Sequence, residues 1–284
     1  MAVRTERPPA AETTTVIQPS KGWVSLRLKE LWRYRELLYF LTWKSILIQY
    51  KQAVLGVAWA VLNPILTMIV FTVIFNKLLH VGTGGYSVAY PVFVYAGLLP
   101  WNLFSGSLSS AGLSLVGNAN LITKVYFPRL VIPGSAVLGN VPNFLISFVV
   151  LVVLMAIYRV VPTWNVIWLP FLALLALLTA MGVSLWLSAL YVLYRDVQYI
   201  IPFLVQIWMY MSPVMYPTSK IPQKWMWLYS LNPMTGVIGG FRWALFGEQE
   251  PNSLFWLSAA MVVVLFMSGL YYFRRMERVF ADLV

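Results

Sequence analysis

The sequence is short of the residues that most enzyme and metal sites use: it has no cysteine, one histidine and only 10% charged residues. Without cysteine there is no disulfide bond, thiolate metal site or cysteine nucleophile. The histidine, His80, follows a predicted span, which leaves no histidine metal cluster and no Ser–His pair deep in a site. We therefore predict no metal. An ordinary soluble domain has about 25% charged residues, so a soluble globule is excluded as well.

Apolar residues dominate what is present. They make up 60% of the 284 residues, and the mean hydropathy is +0.76. A globule of this size cannot bury so much apolar surface, so we predict an all-α integral membrane protein. The formal net charge of +11 would fit nucleic acid in a soluble protein. In a membrane protein it fits anionic headgroups or an anionic cargo, and we predict no nucleic-acid partner.

Charged residues after Lys51 are far enough apart to mark membrane spans. A transmembrane helix needs about 20 residues, and six long uncharged intervals each have room for one. The predicted spans cover residues 54–76, 88–114, 132–158, 166–194, 197–216 and 253–273. Between the last two spans, residues 225–241 contain Asn232-Pro233 and Gly239-Gly240. Broken backbone survives at membrane depth only where protein or water satisfies it, which favours a re-entrant pair of outer helices.

Three regions differ in composition. Residues 1–22 are rich in Pro, Thr and Glu, and we predict a disordered cytoplasmic tail with no cleaved signal peptide. Residues 23–52 mix basic and apolar side chains, as an amphipathic helix in the membrane interface does. One face of this helix carries Leu31, Tyr34, Leu38 and Leu41. Residues 53–284 form the predicted transmembrane domain.

The distribution of Lys and Arg sets the predicted orientation, because cytoplasmic loops carry an excess of basic residues. With the N-terminus in the cytoplasm, 15 of the 20 Lys and Arg residues fall in cytoplasmic segments and five fall outside. Both termini are therefore predicted to be cytoplasmic.

The sequence contains no recognisable energy source. There is no G-x-x-x-x-G-K-[ST] phosphate-binding loop. The spans also lack the carboxylates that ion-coupled carriers place at the midplane. If the chain moves a substrate uphill, the energy has to come from another chain.

The loop at residues 118–129 combines apolar anchors with charges on a short predicted helix that ends near Pro128. Such a helix can dock in a groove of a soluble partner, although an ordinary interfacial loop has the same composition. The candidate docking residues are Asn120, Leu121, Lys124, Tyr126, Phe127 and Arg129.

Seven segments occur in one order along residues 25–284 and together resemble a known family. They are Leu31-Trp-Arg-Tyr-Arg-Glu-Leu-Leu with Tyr50-Lys-Gln, Leu55-Gly-Val-Ala-Trp-Ala-Val-Leu-Asn-Pro64, Asn120-Leu-Ile-Thr-Lys124 with Phe127-Pro-Arg, Tyr194-Arg-Asp-Val197, Ser212-Pro-Val-Met-Tyr-Pro217, Leu231-Asn-Pro-Met-Thr-Gly236 and Phe280-Ala-Asp. The sequence thereby resembles the membrane subunit of ABC-2 type exporters, specifically the polysaccharide/O-antigen permeases.

The resemblance implies a six-span permease of the bacterial inner membrane that dimerises and binds two copies of an ABC ATPase. ATP and Mg would be bound by that ATPase, with no cofactor in this chain. The cargo would be a polyprenyl-pyrophosphate-linked polysaccharide. Residues 118–129 would form the coupling helix and residues 23–50 the interface or gate helix. Spans one and five would line the channel, and the outer pair would close it.

Two polar-aromatic stripes support this channel from the residues themselves. At helical spacing, span one carries Trp59, Asn63 and Thr67, and span five carries Tyr199, Phe203, Gln206 and Tyr210. Rings with polar tips suit the apolar faces and polar edges of sugars, but such residues also form packing seams between spans. Basic residues that could bring the pyrophosphate to a portal are Arg33, Arg35, Lys44 and Lys51. Positive-inside anchoring explains these four equally well.

Three other functions remain open at this point. The same machine could export lipid-linked teichoic acid, since the motifs do not separate the two cargoes. A membrane-embedded glycosyltransferase or acyltransferase would need catalytic carboxylates or a histidine near the interface, and the candidates Asp196, Glu248 and Glu250 are not grouped as a site. A passive channel would need no ATPase.

Overall fold

The computed structural model describes residues 32–51, 56–249, 254–277 and 280. These residues form twelve α-helices and no strand, which confirms the all-α prediction. The helices are α1 (Arg35–Lys51), α2 (Gly56–Phe71), α3 (Tyr90–Gly112), α4 (Ser114–Gly117), α5 (Ala119–Lys124), α6 (Val131–Leu138), α7 (Val141–Ile157), α8 (Leu169–Leu193), α9 (Val197–Tyr210), α10 (Gln223–Ser230), α11 (Pro233–Phe246) and α12 (Leu254–Met276). A π-helical segment, Thr72–Leu78, continues α2, and 3₁₀ turns cover Trp164–Trp168 and Thr218–Lys220.

Four helical stretches are long and apolar enough to cross a membrane, which makes the chain a multi-pass membrane protein. They are Ala58–Leu78, Val131–Ile157, Trp164–Leu193 and Leu254–Met276. Two further helices, α3 and α9, fall on the remaining predicted spans, and α9 has only 14 residues. Proline lies in the first turn of α3, α7 and α8, where the missing N–H has no helical acceptor to lose.

Helix α3 is the centre of the bundle. Every residue from Val92 to Trp101 is buried. The helix packs against α2, α6, α7, α8, α9 and α11. A second close contact joins α8 and α12 at a pair of glycines, because a Cβ on Gly269 would collide with the carbonyl oxygen of Gly182. Small residues of this kind let two helix backbones approach closely in a membrane bundle.

The two helices of the predicted re-entrant pair, α10 and α11, lack one of the predicted backbone breaks. Asn232 caps α11 by accepting a hydrogen bond from the Met234 N–H at 3.0 Å, and Gly247 ends the helix with φ 72°. The predicted break at Gly239-Gly240 does not occur, since both residues lie inside α11. Gly240 instead makes room for Leu172 of α8, whose Cδ2 would lie 2.7 Å from a Cβ at this position.

The connections gather at two opposite ends of the bundle. At one end, a cluster of buried apolar side chains joins α1, α5, α6, α8 and α12. At the other, Gln249 Nε2 donates to the Gly84 carbonyl at 2.7 Å, and the Thr163 N–H donates to the Leu245 carbonyl at 3.2 Å. The connection at residues 118–130 lies at the first end, and those at 79–89, 158–163 and 247–249 lie at the second.

Helix α1 packs on the bundle with the face that the sequence pattern indicated. Leu41 is buried, and Tyr34 and Leu38 pack against the same cluster. Leu31 and the rest of residues 1–31 lie outside the described residues, as do 52–55.

Candidate docking segment and conduit surfaces

The predicted docking segment begins as a short helix, α5, which ends at Lys124, four residues before Pro128. Beyond Lys124 the backbone is extended, with Val125 at φ −132° and ψ 134°. Asn120, Lys124 and Tyr126 are exposed, and Tyr126 has 72% of its surface accessible. These three side chains are therefore free to meet a soluble partner.

Phe127 is a correction to the predicted set of docking anchors. Its side chain is only 5% exposed and lies in the buried cluster with Leu130, Val131 and Phe273. Leu121 packs against the same cluster, from a partly buried position. Because Phe127 contributes to the core of its own chain, it secures the segment to the bundle and is not available as a free anchor.

Arg129 is also engaged within the chain. Its backbone N–H donates to Glu277 Oε1 at 3.1 Å, and its guanidinium donates to the Glu277 carbonyl and lies over the Phe280 ring. The other carboxylate oxygen of Glu277 pairs with Arg274 at 2.9 Å. These contacts tie the base of the docking segment to the end of α12, which leaves Lys124 as the exposed cation of the predicted set.

The predicted stripe on α9 is open along its whole length. Tyr199, Phe203 and Tyr210 are 73%, 63% and 53% exposed, and Gln206 is exposed as well. Only Val197 and Ile201 of this helix are buried. Aromatic rings exposed in a row on a membrane helix face lipid, a second copy or a cargo, and the described residues of this chain do not cover them.

The stripe on α2 is open at its N-terminal end and partly covered further along. Trp59 is 60% exposed and Asn63 is exposed, whereas Thr67 is half-buried. The Thr67 hydroxyl donates to the Asn63 carbonyl at 2.9 Å within its own helix. Its hydrogen is therefore already used, and its contribution to a conduit surface is mainly steric.

The four predicted portal cations are all exposed on the N-terminal helical region: Arg33, Arg35, Lys44 and Lys51. Lys44 and Lys51 are seven residues apart and so lie on the same face of α1. The Arg35 guanidinium lies over the Trp32 ring, 5.8 Å from its centroid. Large apolar side chains beside these cations are also exposed, namely Trp32, Tyr39, Phe40, Trp43 and Leu47. This arrangement is typical of a helix lying in a headgroup region.

Comparison with known proteins assigns the family. The ABC-2 type transporter model matches residues 36–246. The O-antigen export system permease protein of Myxococcus xanthus is 32% identical over 254 residues, covering 88% of this chain and 96% of that protein. This chain belongs to the ABC-2 type transporter family. The prediction of a transport subunit rather than an enzyme is thereby confirmed.

Other ABC-2 relatives extend the comparison. An O-antigen export system permease protein of Klebsiella pneumoniae is 30% identical over 254 residues, which cover 88% of this chain and 95% of that protein. A polysialic acid transport protein of Escherichia coli is 26% identical over 240 residues, which cover 78% of this chain and 86% of that protein. The likeness thus extends over most of the length of each of these permeases.

Two features of this ABC-2 permease escaped sequence reasoning. The first is Arg242, counted from sequence among the basic residues outside, which is buried in α11. Its guanidinium donates to the carbonyls of Pro213 and Val214 at 2.7 Å each and lies 3.7 Å from the centroid of the Phe93 ring. Arg242 therefore joins α11 to the segment that follows α9 and to α3. Because it is buried in the fold, it gives no information about the orientation of a loop.

The second feature is a polar cleft between α2, α3 and α7 that contains asparagines from all three regions. Asn63 was predicted as part of the conduit, but Asn102 and Asn143 were not. The sequence signal that could have found them is the presence of an asparagine inside a predicted span, because polar side chains there are costly and mark functional sites. Each residue taken alone showed no pattern, because the three are brought together only by tertiary packing.

Proposed function

We propose that this chain is the membrane subunit of an exporter that moves a lipid-linked, O-antigen-like polysaccharide across the bacterial inner membrane. The observation that carries the proposal is similarity to O-antigen export permeases along 88% of the chain. The exposed aromatic stripes of α2 and α9 add support, since ring faces bind the apolar faces of many different sugars. Such a surface would let a long polymer slide without a specific polar anchor.

The transporter consists of two copies of this chain and two copies of an ABC ATPase that binds ATP and Mg. The absence of a phosphate-binding loop from the sequence supports a separate ATPase chain. The exposed Asn120, Lys124 and Tyr126 provide the contact surface for it. The exposed stripe on α9 supports pairing around a shared conduit, because the described residues of one copy leave it open.

The chain crosses the membrane six times with both termini in the cytoplasm, and α10 and α11 re-enter from the outer side. This part of the proposal is supported by the grouping of connections at two ends and by the distribution of basic residues, with 15 in the predicted cytoplasmic segments and four outside once the buried Arg242 is left out. Single cysteines in this cysteine-free chain test the orientation. An impermeant maleimide added to intact spheroplasts labels cysteine at Gln249 but not at Thr123. The reverse pattern would contradict the orientation.

Deletion and reconstitution test the function itself. Cells lacking the chain accumulate lipid-linked polysaccharide inside and lose it from the surface, and a plasmid copy restores export. In proteoliposomes, the chain and its ATPase together move the glycan only when ATP and Mg are present. Export by this chain alone without nucleotide, or unchanged surface polysaccharide after deletion, would contradict the proposal.

A further inference from the structure

A cleft of about 570 Å³ opens between α2, α3 and α7, beside the end of α1. This volume is within the range of about 300–1,000 Å³ typical of ligand pockets in proteins. Amide and hydroxyl side chains form much of the lining, and we call the feature the asparagine cleft. Its polar lining residues are Gln49, Asn63, Asn102, Ser105, Asn140, Asn143 and Ser147.

The hydrogen bonds divide these amides into two groups. Asn140 Nδ2 donates to the Ala136 carbonyl at 2.9 Å and to Ser110 Oγ at 3.1 Å. Asn143 Oδ1 accepts a hydrogen bond from the Tyr50 hydroxyl at 2.5 Å, which connects the end of α1 to α7. By contrast, Asn63 and Asn102 accept hydrogen bonds from Thr67 and Ser105 through their backbone carbonyls, and their side-chain amides have no partner among the described residues.

Two unpartnered amides on adjacent membrane helices call for a polar occupant. An amide in an apolar environment without a hydrogen bond costs about 1–3 kcal/mol in protein mutants. The Asn63 and Asn102 side chains both border the cleft and are not sealed from it, so they can bond to whatever fills it. Trp59, 60% exposed, lies along the same cleft and supplies an apolar ring face.

The position of the cleft fits the inner half of the transport path. Asn63 lies about two helical turns from the start of α2, near the end of α1. Asn143 is in the first turn of α7, and Asn102 lies near the middle of α3. Asn63 and Trp59 belong both to this cleft and to the exposed stripe on α2, so the cleft opens beside the predicted conduit.

We propose that the asparagine cleft binds a short pyranose segment of the cargo as it enters the conduit. The inference rests on the proposed export function. The Asn63 and Asn102 amides donate to and accept from sugar hydroxyls, and the Trp59 ring covers the apolar face of a pyranose. Amides and a single ring recognise a hydroxyl-rich chain without requiring a charge on it, which suits a neutral glycan.

Photocrosslinking in living cells tests this site directly. A benzoylphenylalanine residue replaces Asn102 in one variant, Gln206 of the α9 stripe in a second and the exposed Leu174 of α8 in a third. Captured glycan is detected on the purified permease by periodate oxidation of its vicinal diols and reaction with biotin hydrazide. We expect glycan capture at positions 102 and 206 and none at 174. A fourth variant, with the photocrosslinker at Asn63, samples the same cleft and guards against misfolding of the Asn102 variant.

The outcomes separate the cleft from the export function. Glycan capture at position 206 without capture at 102 or 63 would overturn the proposed glycan site in the cleft while leaving the proposed export function standing. Capture of a second permease copy at 102 in place of glycan would also overturn it, since the partner subunit would then fill the space. Unchanged surface polysaccharide after deletion of the chain, with no capture at any position, would overturn both proposals.

A substitution series gives an independent measurement. Asn102→Leu removes the hydrogen-bonding amide at similar volume, and we expect the export rate to fall about tenfold. Asn102→Ser keeps a donor and an acceptor and retains most of the rate. Affinity for the ATPase should be unchanged in both, and neither variant should unfold at a lower temperature, because the leucine variant removes an unpaired amide. Equal export by the leucine and serine variants would overturn the proposed hydrogen bonds.

Discussion

Helices α3 and α9 both fall on predicted spans, yet the fold treats them in opposite ways. Helix α3 is buried from Val92 to Trp101, whereas only Val197 and Ile201 are buried in α9. The difference does not follow from hydrophobicity, because α3 carries Asn102, Ser105 and Ser107 and is the less apolar of the two. It follows from the position of each helix in the bundle, because α3 is surrounded by neighbouring helices and α9 lies at the edge.

Buried residues of α3 therefore stabilise one copy of the chain, whereas exposed residues of α9 are available to contact another surface. In a bilayer, lipid tails are as apolar as leucine side chains, so hydrophobicity alone does not bury a helix. A ring on α3 gains packing inside the chain. A ring on α9 is available to lipid, to a second copy or to the cargo, and substitutions should therefore have different consequences in the two helices.

The largest expected effect is on stability, and it uses the same substitution in both helices. Phe104 of α3 is fully buried and packs against Trp101 and Trp208, with ring centroids 5.2 Å and 5.0 Å away. Phe104→Ala should lower the free energy of unfolding by about 3–5 kcal/mol because a cavity remains. Phe203→Ala on α9 should change it by less than about 1 kcal/mol. Unfolding of the purified permease in SDS-containing mixed micelles measures both.

Equal destabilisation by the two alanines would remove the distinction between the helices. It would mean that Phe203 is packed as tightly as Phe104 in the folded protein, and the α9 stripe would then be a packing seam.

The next effect is expected in the docking segment, where adjacent aromatics differ in the same way. Tyr126 is 72% exposed and Phe127 is 5% exposed. Tyr126→Ala should weaken ATPase binding by about 2 kcal/mol, roughly 30-fold, with unchanged unfolding. Phe127→Ala should instead lower the free energy of unfolding by about 3 kcal/mol. Titration of the ATPase against the permease in nanodiscs, with a melting curve for each variant, distinguishes the two. Unchanged affinity of the Tyr126 variant would place the ATPase contact elsewhere.

A moderate effect is expected on transport from the stripes. Tyr199→Ala or Tyr210→Ala should slow export of long chains severalfold while leaving assembly and melting temperature unchanged, since both rings are exposed. Thr67→Trp should obstruct the path through its bulk. Polysaccharide length and export rate, measured in cells that produce equal amounts of permease, provide the test. If the Thr67→Trp variant exports normally and the alanine variants unfold, both stripes are packing surfaces between helices and do not line the conduit.

The smallest effect is expected from the basic residues of α1. Lys44→Gln and Lys51→Gln each remove one exposed cation, worth about 1 kcal/mol near an anionic surface. We expect weaker flotation of an isolated α1 peptide with phosphatidylglycerol vesicles and little change with neutral vesicles. In cells, export should fall only if these cations also receive the pyrophosphate, so the export rate separates anchoring from a portal role. Neutral replacement of Glu36 is the control.

Much of the architecture was predictable because it depends on local composition. Uncharged intervals marked the long helices, since a charge inside a membrane span is costly. The helical spacing of Tyr34, Leu38 and Leu41 predicted which side of α1 packs on the bundle. The exposed stripes on α2 and α9 could be found from helical spacing alone, because three or four residues per turn decide which side chains share a face.

The errors have physical causes of the same kind. Phe127 and Tyr126 are neighbours of similar chemistry, and no local pattern indicates which ring enters the cluster around Phe273. Arg129 was assigned to a partner because its acceptor, Glu277, is 148 residues away in the chain. Gly239-Gly240 suggested a break in the backbone, whereas Gly240 serves the close approach of α8.

The sequence by itself determined the class of protein, the helical segments, the need for an external energy source and the family. These depend on composition and on short motifs, which can be recognised without knowing the tertiary contacts. Only the tertiary structure decided that α3 is enclosed and α9 is open, that Arg242 is buried with backbone carbonyls as its hydrogen-bond acceptors, and that Asn63, Asn102 and Asn143 share one cleft. Each of these depends on residues distant in the chain becoming neighbours, and hydrogen bonding and packing at such contacts have no counterpart in local sequence.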